Sequence, residues 1–232
     1  MTLRPRPQRG SFAWQPVTFG RSHLGASLEV WRPSGRCEVL VFAGIHGDEG
    51  ESTNVLSWAL RQLSAPSAHC AVVLAANPDG LLRGTRANAR GVDLNRNFPA
   101  SNWRPDPVAY RVFSEDPRDI ALSTGKSAGS EPETQALVGL IDELQPKTVI
   151  AVHAPLACVE EPERSDLGVW LAEQSQLPLV DSVGYETPGS FGSWAPEHDR
   201  HVITYELPVD SPEGHLRSKS PVFVELLRRE TF

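Results

Sequence analysis

The sequence predicts an α/β fold in which a mixed, mainly parallel sheet carries helices on both faces. Three short segments are almost wholly apolar, as is typical of strands buried on both sides: residues 38–45, 70–76 and 148–152. After the first segment, apolar residues recur at helical spacing, at positions 55, 56, 59, 60 and 63. Strands that alternate with helices favour parallel pairing, because the crossover helices then cover the sheet.

The rest of the chain contains further elements of the same two kinds. Ser130 and Glu133 have the spacing of a capping box, which predicts a helix that begins there and continues to about Leu144. The other predicted elements are helices over 167–174 and 222–229 and a strand over 202–207.

The 232 residues suit one domain, and neither a repeat nor a linker divides them, so we expect a single domain over 1–232. Residues 1–20 are polar and interrupted by proline, which predicts a loosely packed lead-in. Residues 81–130 show little periodicity, and so long an irregular segment in a compact domain is usually functional.

Composition excludes several classes of function. The 22 Lys and Arg residues against 29 Asp and Glu give a net charge of −7, which opposes binding to nucleic acid and to anionic membranes. The 3 cysteines form no CxxC pair, so we expect neither a cysteine zinc site nor a disulfide framework. No apolar run is long enough to cross a membrane, and no secretory signal is evident. We therefore expect a soluble cytoplasmic protein.

Two predicted strands end in residues that can bind a metal. His46 and Glu49 follow the strand over 38–45, and His153 follows the strand over 148–152. The carboxyl ends of parallel strands meet at one edge of a sheet, so these side chains can converge there. Two histidines and one glutamate form a known catalytic zinc set that leaves a position for water. The competing interpretation is a chance His-x-x-Glu pair and a core histidine at position 153.

The order of the motifs decides between these interpretations. NPDG at 77–80, RGTR at 83–86 and GVDLNRNF at 91–98 follow the His-x-x-Glu pair and precede the isolated His153. From Gly44 to about Leu207, the chain thereby resembles the zinc metallocarboxypeptidase family. Its short length, GIHGDEGES, HAPLACVE and TPGSFGSW resemble most the small members of that family that act on murein peptides.

The resemblance implies a zinc-carboxypeptidase-like fold and a catalytic domain with one zinc ion per chain, held by His46, Glu49 and His153. Asp93 would orient His46, and Glu206 would be the catalytic glutamate. The implied reaction is hydrolysis of the bond between the γ-carboxyl of D-glutamate and meso-diaminopimelate in murein tripeptide, during cell-wall recycling. By pattern alone, without the resemblance, the sequence favours an ordinary exposed strand carboxylate for Glu206.

The resemblance also assigns residues that bind substrate. Arg83, the first arginine of the RGTR motif, would polarise the carbonyl that is attacked. Asn95 and Arg96 would bind the free carboxylate of the leaving residue, and Tyr185 would cap the substrate. Arg86 would contact substrate as well, and the two arginines could exchange roles.

Two rival functions remain open at this point. A deacylase of the aspartoacylase or succinylglutamate desuccinylase type shares the GxHGxE and DLNR motifs, although NPDG and His153-Ala154-Pro155 favour a peptidase. An inactive homologue that only binds peptides is the second rival. Gly192, where the family places a residue of the side-chain pocket, gives weak support for a bulky polar side chain. The expected partner is a small murein peptide, and a homodimer is allowed because the family includes dimers.

Overall fold

A mixed eight-stranded sheet forms the centre of the computed structural model, which describes residues 4–112 and 117–230. Its order is β1-β2-β4-β3-β7-β10-β8-β9, so the predicted α/β class is confirmed. In chain order the strands are β1 (Val17–Arg21), β2 (Ser27–Trp31), β3 (Val39–Ala43), β4 (Cys70–Val73), β7 (Thr148–His153), β8 (Cys158–Glu160), β9 (Leu179–Val180) and β10 (His201–Glu206). β5 (Val108–Val112) and β6 (Arg118–Leu122) form a separate antiparallel hairpin.

The four central strands β4, β3, β7 and β10 are parallel, as the apolar runs predict. Every residue of β3 is buried, and its side chains alternate between two apolar clusters. Val39, Val41 and Ala43 belong to one cluster, whereas Leu40 and Phe42 belong to the other. Both faces of the sheet are therefore covered, which explains why this strand shows no polar alternation.

Helices cover both faces of this sheet. They are α1 (Gly50–Gln62), α2 (Pro78–Arg83), α3 (Pro132–Leu144), α4 (Asp166–Ser175), α5 (Phe191–Trp194), α6 (Pro212–Ser218) and α7 (Ser220–Arg228). Apolar residues of α1, α4 and α7 join the cluster on one face, and those of α3 and α5 join the other. Within the described residues, no helix is long and apolar enough to cross a membrane.

The prediction of irregular structure is wrong for part of each of two segments, residues 1–20 and 81–130. The expected loose lead-in over 1–20 contains most of β1, which pairs with β2 at the edge of the large sheet. β1 is partly exposed and irregular between Thr18 and Gly20, so its apolar pattern is weak. The segment 81–130 contains the β5–β6 hairpin, and its residues 113–116 lie outside the described residues.

The predicted capping box at the start of α3 is also wrong. The helix begins at Pro132, and Glu131 occupies the N-cap position without a capping hydrogen bond from its side chain. Ser130 instead donates to the carboxylate of Glu131. Asn88 Nδ2 donates to Glu131 at 2.9 Å and to Glu133 at 3.1 Å. The two carboxylates therefore bind the loop after α2 instead of the helix terminus.

Gly47 marks a close approach between two chain segments, and this contact predicts a large effect on stability. A Cβ atom at Gly47 would lie 2.1 Å from Gly80 C, 2.4 Å from Leu81 N and 2.4 Å from Thr85 O, all of them backbone atoms. Because backbone cannot rotate away, we expect Gly47→Ala to lower the free energy of unfolding by about 3 kcal/mol. Denaturant unfolding of metal-free protein measures it.

Gly50→Ala is the matched control for this prediction. Apart from its chain neighbours and the backbone of its own helix, no atom of the described residues lies within 4 Å of a Cβ at Gly50, which is the first residue of α1. We expect a change within about 1 kcal/mol. Equal stability of the Gly47→Ala and Gly50→Ala variants would contradict the close approach.

Candidate metal centre and active site

Three buried side chains converge at the carboxyl edge of the sheet. His46 follows β3, Glu49 is the N-cap residue of α1, and His153 is the last residue of β7. Glu49 Oε1 lies 2.7 Å from His46 Nδ1, and Glu49 Oε2 lies 3.0 Å from His153 Nδ1. The parallel pairing of β3 with β7 places the two histidines side by side, with ring centroids 4.9 Å apart.

Both ring nitrogens of His46 face carboxylates. Nδ1 faces Glu49, and Nε2 lies 3.3 Å from Asp93 Oδ1. A neutral imidazole carries one N–H, so it can satisfy only one of the two carboxylates. A second proton or a metal ion at Nδ1 satisfies the contact with Glu49. In both cases Asp93 accepts the N–H at Nε2, as carboxylates do for many metal-bound histidines.

The carboxylates and the histidines at this edge of the sheet stabilise each other's charged forms. Burial lowers the pKa of His46, but the carboxylates of Glu49 and Asp93 outweigh burial and raise that pKa to about 9. Burial raises the pKa of Glu49, yet His46 and His153 hold it well below its usual range. Glu49 is therefore an anion between two imidazoles, and these three donors fit a zinc ion.

Arg86 contacts both carboxylates of this group. Its Nη1 donates to Glu49 Oε1 at 3.1 Å, and its Nε donates to Asp93 Oδ2 at 3.2 Å. Burial lowers the pKa of Arg86, but Asp93 and Glu49 raise it by more, so the guanidinium stays charged. A fixed positive charge thus lies beside the cluster of His46, Glu49 and His153.

The expectation that Arg83 lies at the site is wrong. Arg83 is exposed, and its guanidinium donates at 2.7 Å to Asp79 O within its own helix α2. Gly84 then ends α2 in a left-handed conformation (φ 63°), and the chain turns so that Arg86 lines the cavity. The second arginine of the motif therefore takes the place expected of the first.

Glu206 lies next to His153 at the same edge. It is the last residue of β10 and pairs with His153 in the parallel ladder of β7 and β10. Its Oε2 accepts a hydrogen bond of 3.3 Å from Leu156 N. Burial raises the pKa of Glu206, and the nearby Glu49 raises it further. The structure therefore places a buried carboxyl group with a raised pKa beside the candidate metal ligands.

The other predicted substrate residues line the same cavity. Asn95 Oδ1 accepts a hydrogen bond of 2.9 Å from Phe191 N, and Arg96 Nη1 donates to Asn95 O at 2.7 Å. Arg96 is buried, whereas Tyr185 is 55 % exposed at the rim. These positions are compatible with the predicted carboxylate clamp and cap, whose roles stay predictions.

Sequence reasoning missed two residues of the cavity wall that come from other strands. Tyr110 on β5 donates a hydrogen bond to the Asp48 carboxylate, and its ring lies 4.9 Å from the Arg86 guanidinium. Glu160, at the end of β8, also lines the cavity. Tyr110 belongs to no motif, and Glu160 ends the HAPLACVE segment, in which no spacing assigns it a role. The cavity encloses about 300 Å³, which suits a small ligand.

Comparisons with known proteins agree with this geometry. The zinc carboxypeptidase family matches residues 8–157, and the chain belongs to this family. It is therefore a zinc metallopeptidase, with His46, Glu49 and His153 as its candidate zinc site.

Individual proteins named murein peptide amidase A are similar to this chain over most of its length. Murein peptide amidase A of Escherichia coli K12 is 53% identical over 214 residues, which cover 90% of this chain and 88% of the relative. Murein peptide amidase A of Vibrio campbellii is 43% identical over 233 residues, which cover 99% of this chain and 94% of the relative.

Two solved structures, of a murein-tripeptide amidase and of a carboxypeptidase A, are also similar to this chain. The murein-tripeptide amidase of Escherichia coli O157 superimposes with a TM-score of 0.94 at 47% identity, and the match covers 100% of this chain and 99% of that one. Carboxypeptidase A of Helicoverpa armigera shares the fold, with a TM-score of 0.69 at 18% identity, over 92% of this chain and 67% of that one.

Asp93 provides a test of the zinc site that does not depend on turnover. We expect Asp93→Asn to weaken zinc binding by ~10–100-fold, because an amide orients the imidazole of His46 less strongly than a carboxylate. Competition with a chromophoric chelator measures the affinity. Arg83→Gln, which changes a charge on the exposed face of α2, is the control and should bind zinc normally. Unchanged zinc affinity in Asp93→Asn would contradict the role of Asp93.

Proposed function

We propose that this protein hydrolyses the γ-D-glutamyl–meso-diaminopimelate bond of murein tripeptide and releases meso-diaminopimelate. The observation that carries the proposal is the buried cluster of His46, Glu49 and His153 with Glu206 beside it, open to a cavity of about 300 Å³. The relatives named as murein peptide amidases support the choice of substrate.

The metal ligands and their supports have separate tasks in this proposal. His46, Glu49 and His153 hold the zinc ion, and Asp93 keeps His46 in one tautomer through its contact with Nε2. When bound, zinc supplies a Lewis acid that activates water at neutral pH and polarises a carbonyl. Cys37, Cys70 and Cys158 are buried and form no disulfide, and the proposed chemistry needs no thiol.

Glu206 transfers the proton. Its carboxylate accepts a proton from the attacking water and later donates it to the departing amine of diaminopimelate. The burial that raises the pKa of Glu206 favours both tasks, because the group must hold the proton between the two steps. The hydrogen bond from Leu156 N orients one oxygen and leaves the other for this transfer.

Arg86 stabilises the negative charge that develops on the carbonyl oxygen. Its guanidinium has five N–H donors, of which one at Nε and one at Nη1 bind Asp93 and Glu49. These two bonds fix its plane, and the remaining donors serve the oxyanion. A donor fixed in advance is worth roughly 3–4 kcal/mol in comparable sites.

The leaving residue is held by its free carboxylate. Arg96 presents a planar fork suited to bidentate contact, and the hydrogen bond from Phe191 N to Asn95 Oδ1 leaves the amide nitrogen of Asn95 as a donor. Tyr185 covers the substrate from the rim of the cavity. The buried, unpaired cysteines fit a reducing compartment, so the proposed place of action is the cytoplasm.

Incubation with L-Ala-γ-D-Glu-meso-diaminopimelate tests the proposed reaction. We expect free diaminopimelate to be released by the zinc-loaded protein and not after treatment with a chelator, with activity restored by added zinc. N-acetylaspartate and N-succinylglutamate, assayed in parallel, test the rival deacylase function. Cleavage of these acyl amino acids without cleavage of the tripeptide would contradict the proposal.

Glu206→Gln is the control variant for the same assay. It keeps the shape of the side chain and removes its ability to accept a proton, so we expect kcat to fall by ~10²–10⁴-fold. Its zinc content should stay near one ion per chain, which separates loss of chemistry from loss of metal. Turnover at the normal rate in this variant would contradict the role of Glu206.

Arg86 and Arg83 form a matched pair for a second kinetic test. We expect Arg86→Gln to lower kcat by ~10²–10³-fold, because a donor to the developing oxyanion is lost. Arg83→Gln should retain the kcat of the unmodified protein, because Arg83 donates to Asp79 O within its own helix and is not among the described residues that line the cavity. Zinc content is measured in both variants. The opposite order of effects would restore the assignment made from the sequence motif.

A further inference from the structure

We infer that Glu160 selects the leaving residue by binding the distal ammonium group of meso-diaminopimelate. This inference rests on the proposed function, because it takes diaminopimelate as the leaving group. Diaminopimelate has two amino-acid ends joined by three methylene groups. One amine forms the bond that is cleaved, and the other end keeps a free ammonium and carboxylate. A site for this residue therefore needs a negative group at a distance from the reacting amine.

Strand pairing places Glu160 at such a distance. β8 pairs antiparallel with β10, with Glu160 opposite Thr204 and Cys158 opposite Glu206. Alternate residues of a strand share a face, so Glu160 and Thr204 lie on the face that carries Glu206. Glu160 and Glu206 are diagonal neighbours across this strand pair, so they lie roughly 7–8 Å apart. This separation is comparable to the distance between the two amino nitrogens of an extended diaminopimelate.

The residues between these positions on the two strands face the opposite side of the sheet. Tyr205 and Val159, which also oppose each other in the register, are fully buried and belong to the apolar cluster on the far face of the sheet. Glu160 is only partly buried and lines the cavity together with Thr204. The alternation of the two strands therefore directs Glu160 to the ligand and its neighbour Val159 to the core.

One of the two carboxylate oxygens of Glu160 accepts a hydrogen bond within the described residues, and the other does not. Its Oε1 accepts a hydrogen bond of 3.0 Å from Val183 N. Within residues 4–112 and 117–230, its Oε2 accepts no such bond, and no Lys, Arg or His nitrogen lies within 4.0 Å to form an ion pair. The backbone contact fixes the side chain in place, and the second oxygen stays available to an ammonium group.

The other carboxylates of the cavity are already engaged. Glu49 lies between the two histidines and contacts Arg86, and Asp93 contacts His46 and Arg86. Glu206 carries the proton in the proposed reaction. Among the described residues that line the cavity, Glu160 is therefore the carboxylate that remains for a cationic group of the substrate.

The space beside Gly192 accommodates the methylene chain. Gly192 lines the cavity, and a Cβ atom there would meet only Ser190 Oγ, at 3.7 Å. Val183 and Phe191 contribute apolar surface to the same cavity. A positive group for the carboxylate (Arg96), an apolar middle and a negative group (Glu160) match the order of groups along the leaving residue.

The experiment compares two tripeptides and two variants. One tripeptide ends in meso-diaminopimelate, and the other ends in L-2-aminopimelate, which lacks only the distal amino group. For Glu160→Gln we expect kcat/KM for the first peptide to fall about 10- to 100-fold, mainly through KM, because a charged hydrogen bond is lost. For the second peptide we expect no change, since it has no ammonium to bind.

Controls separate selectivity from structural damage. Glutamine keeps an oxygen that accepts the hydrogen bond from Val183 N, and thermal unfolding of the variant checks this. Glu163→Gln removes the same charge from an exposed side chain nearby and should change neither kcat/KM value. Equal loss for both peptides, or loss for neither, in Glu160→Gln would overturn the inference while the proposed function stands. Failure of the unmodified protein to cleave either peptide would contradict the proposed function and, with it, the inference.

Discussion

Parallel pairing of β3 with β7 brings two histidines to one edge of the sheet, and the carboxylate of Glu49 lies between them. Ala43 pairs with Val152, so each strand delivers its histidine just beyond its last paired residues. Glu49 enters from the first turn of α1, three residues after His46, and contacts both imidazoles with its two oxygens. The positions of Arg86, Asp93 and Glu206 all follow from contacts with this group or from the next strand of the sheet.

Charge in this protein is arranged locally, and the overall charge of −7 says little about the ligand. Around the cavity, Arg86 and Arg96 form a positive side, and the buried carboxylates of Glu49 and Asp93 contact histidine and arginine side chains. Glu160 forms a separate negative end. A cavity with both signs at fixed places suits a substrate that carries carboxylates and an ammonium group, which explains how an acidic protein can bind a zwitterionic residue.

The sequence predicted the central strands and the metal ligands because both depend on local signals. A strand that is buried on both faces, such as 148–152, must be apolar. His46 and Glu49 lie three residues apart in one turn of the chain, so their spacing can be recognised in the sequence. The sequence left open whether Arg83 or Arg86 reaches the cavity, because the left-handed turn at Gly84 determines which of the two arginines does so. Glu160 depends on the register of two strands that lie far apart in the chain. Tertiary pairing, and not residue type, decides such positions.

Anomalous diffraction at the zinc absorption edge, from crystals of the zinc-loaded protein, tests whether His46, Glu49 and His153 hold the metal. We expect one zinc peak per chain, between the Nδ1 atoms of His46 and His153 and the carboxylate of Glu49. A second group that could hold a metal, formed by Glu161, Glu163 and His201, offers a clear alternative. There Glu161 is already bonded to Ser165 N and to His201, so we expect no peak. A peak only at this second group, or none beside Glu49, would contradict the assignment of His46, Glu49 and His153 as zinc ligands.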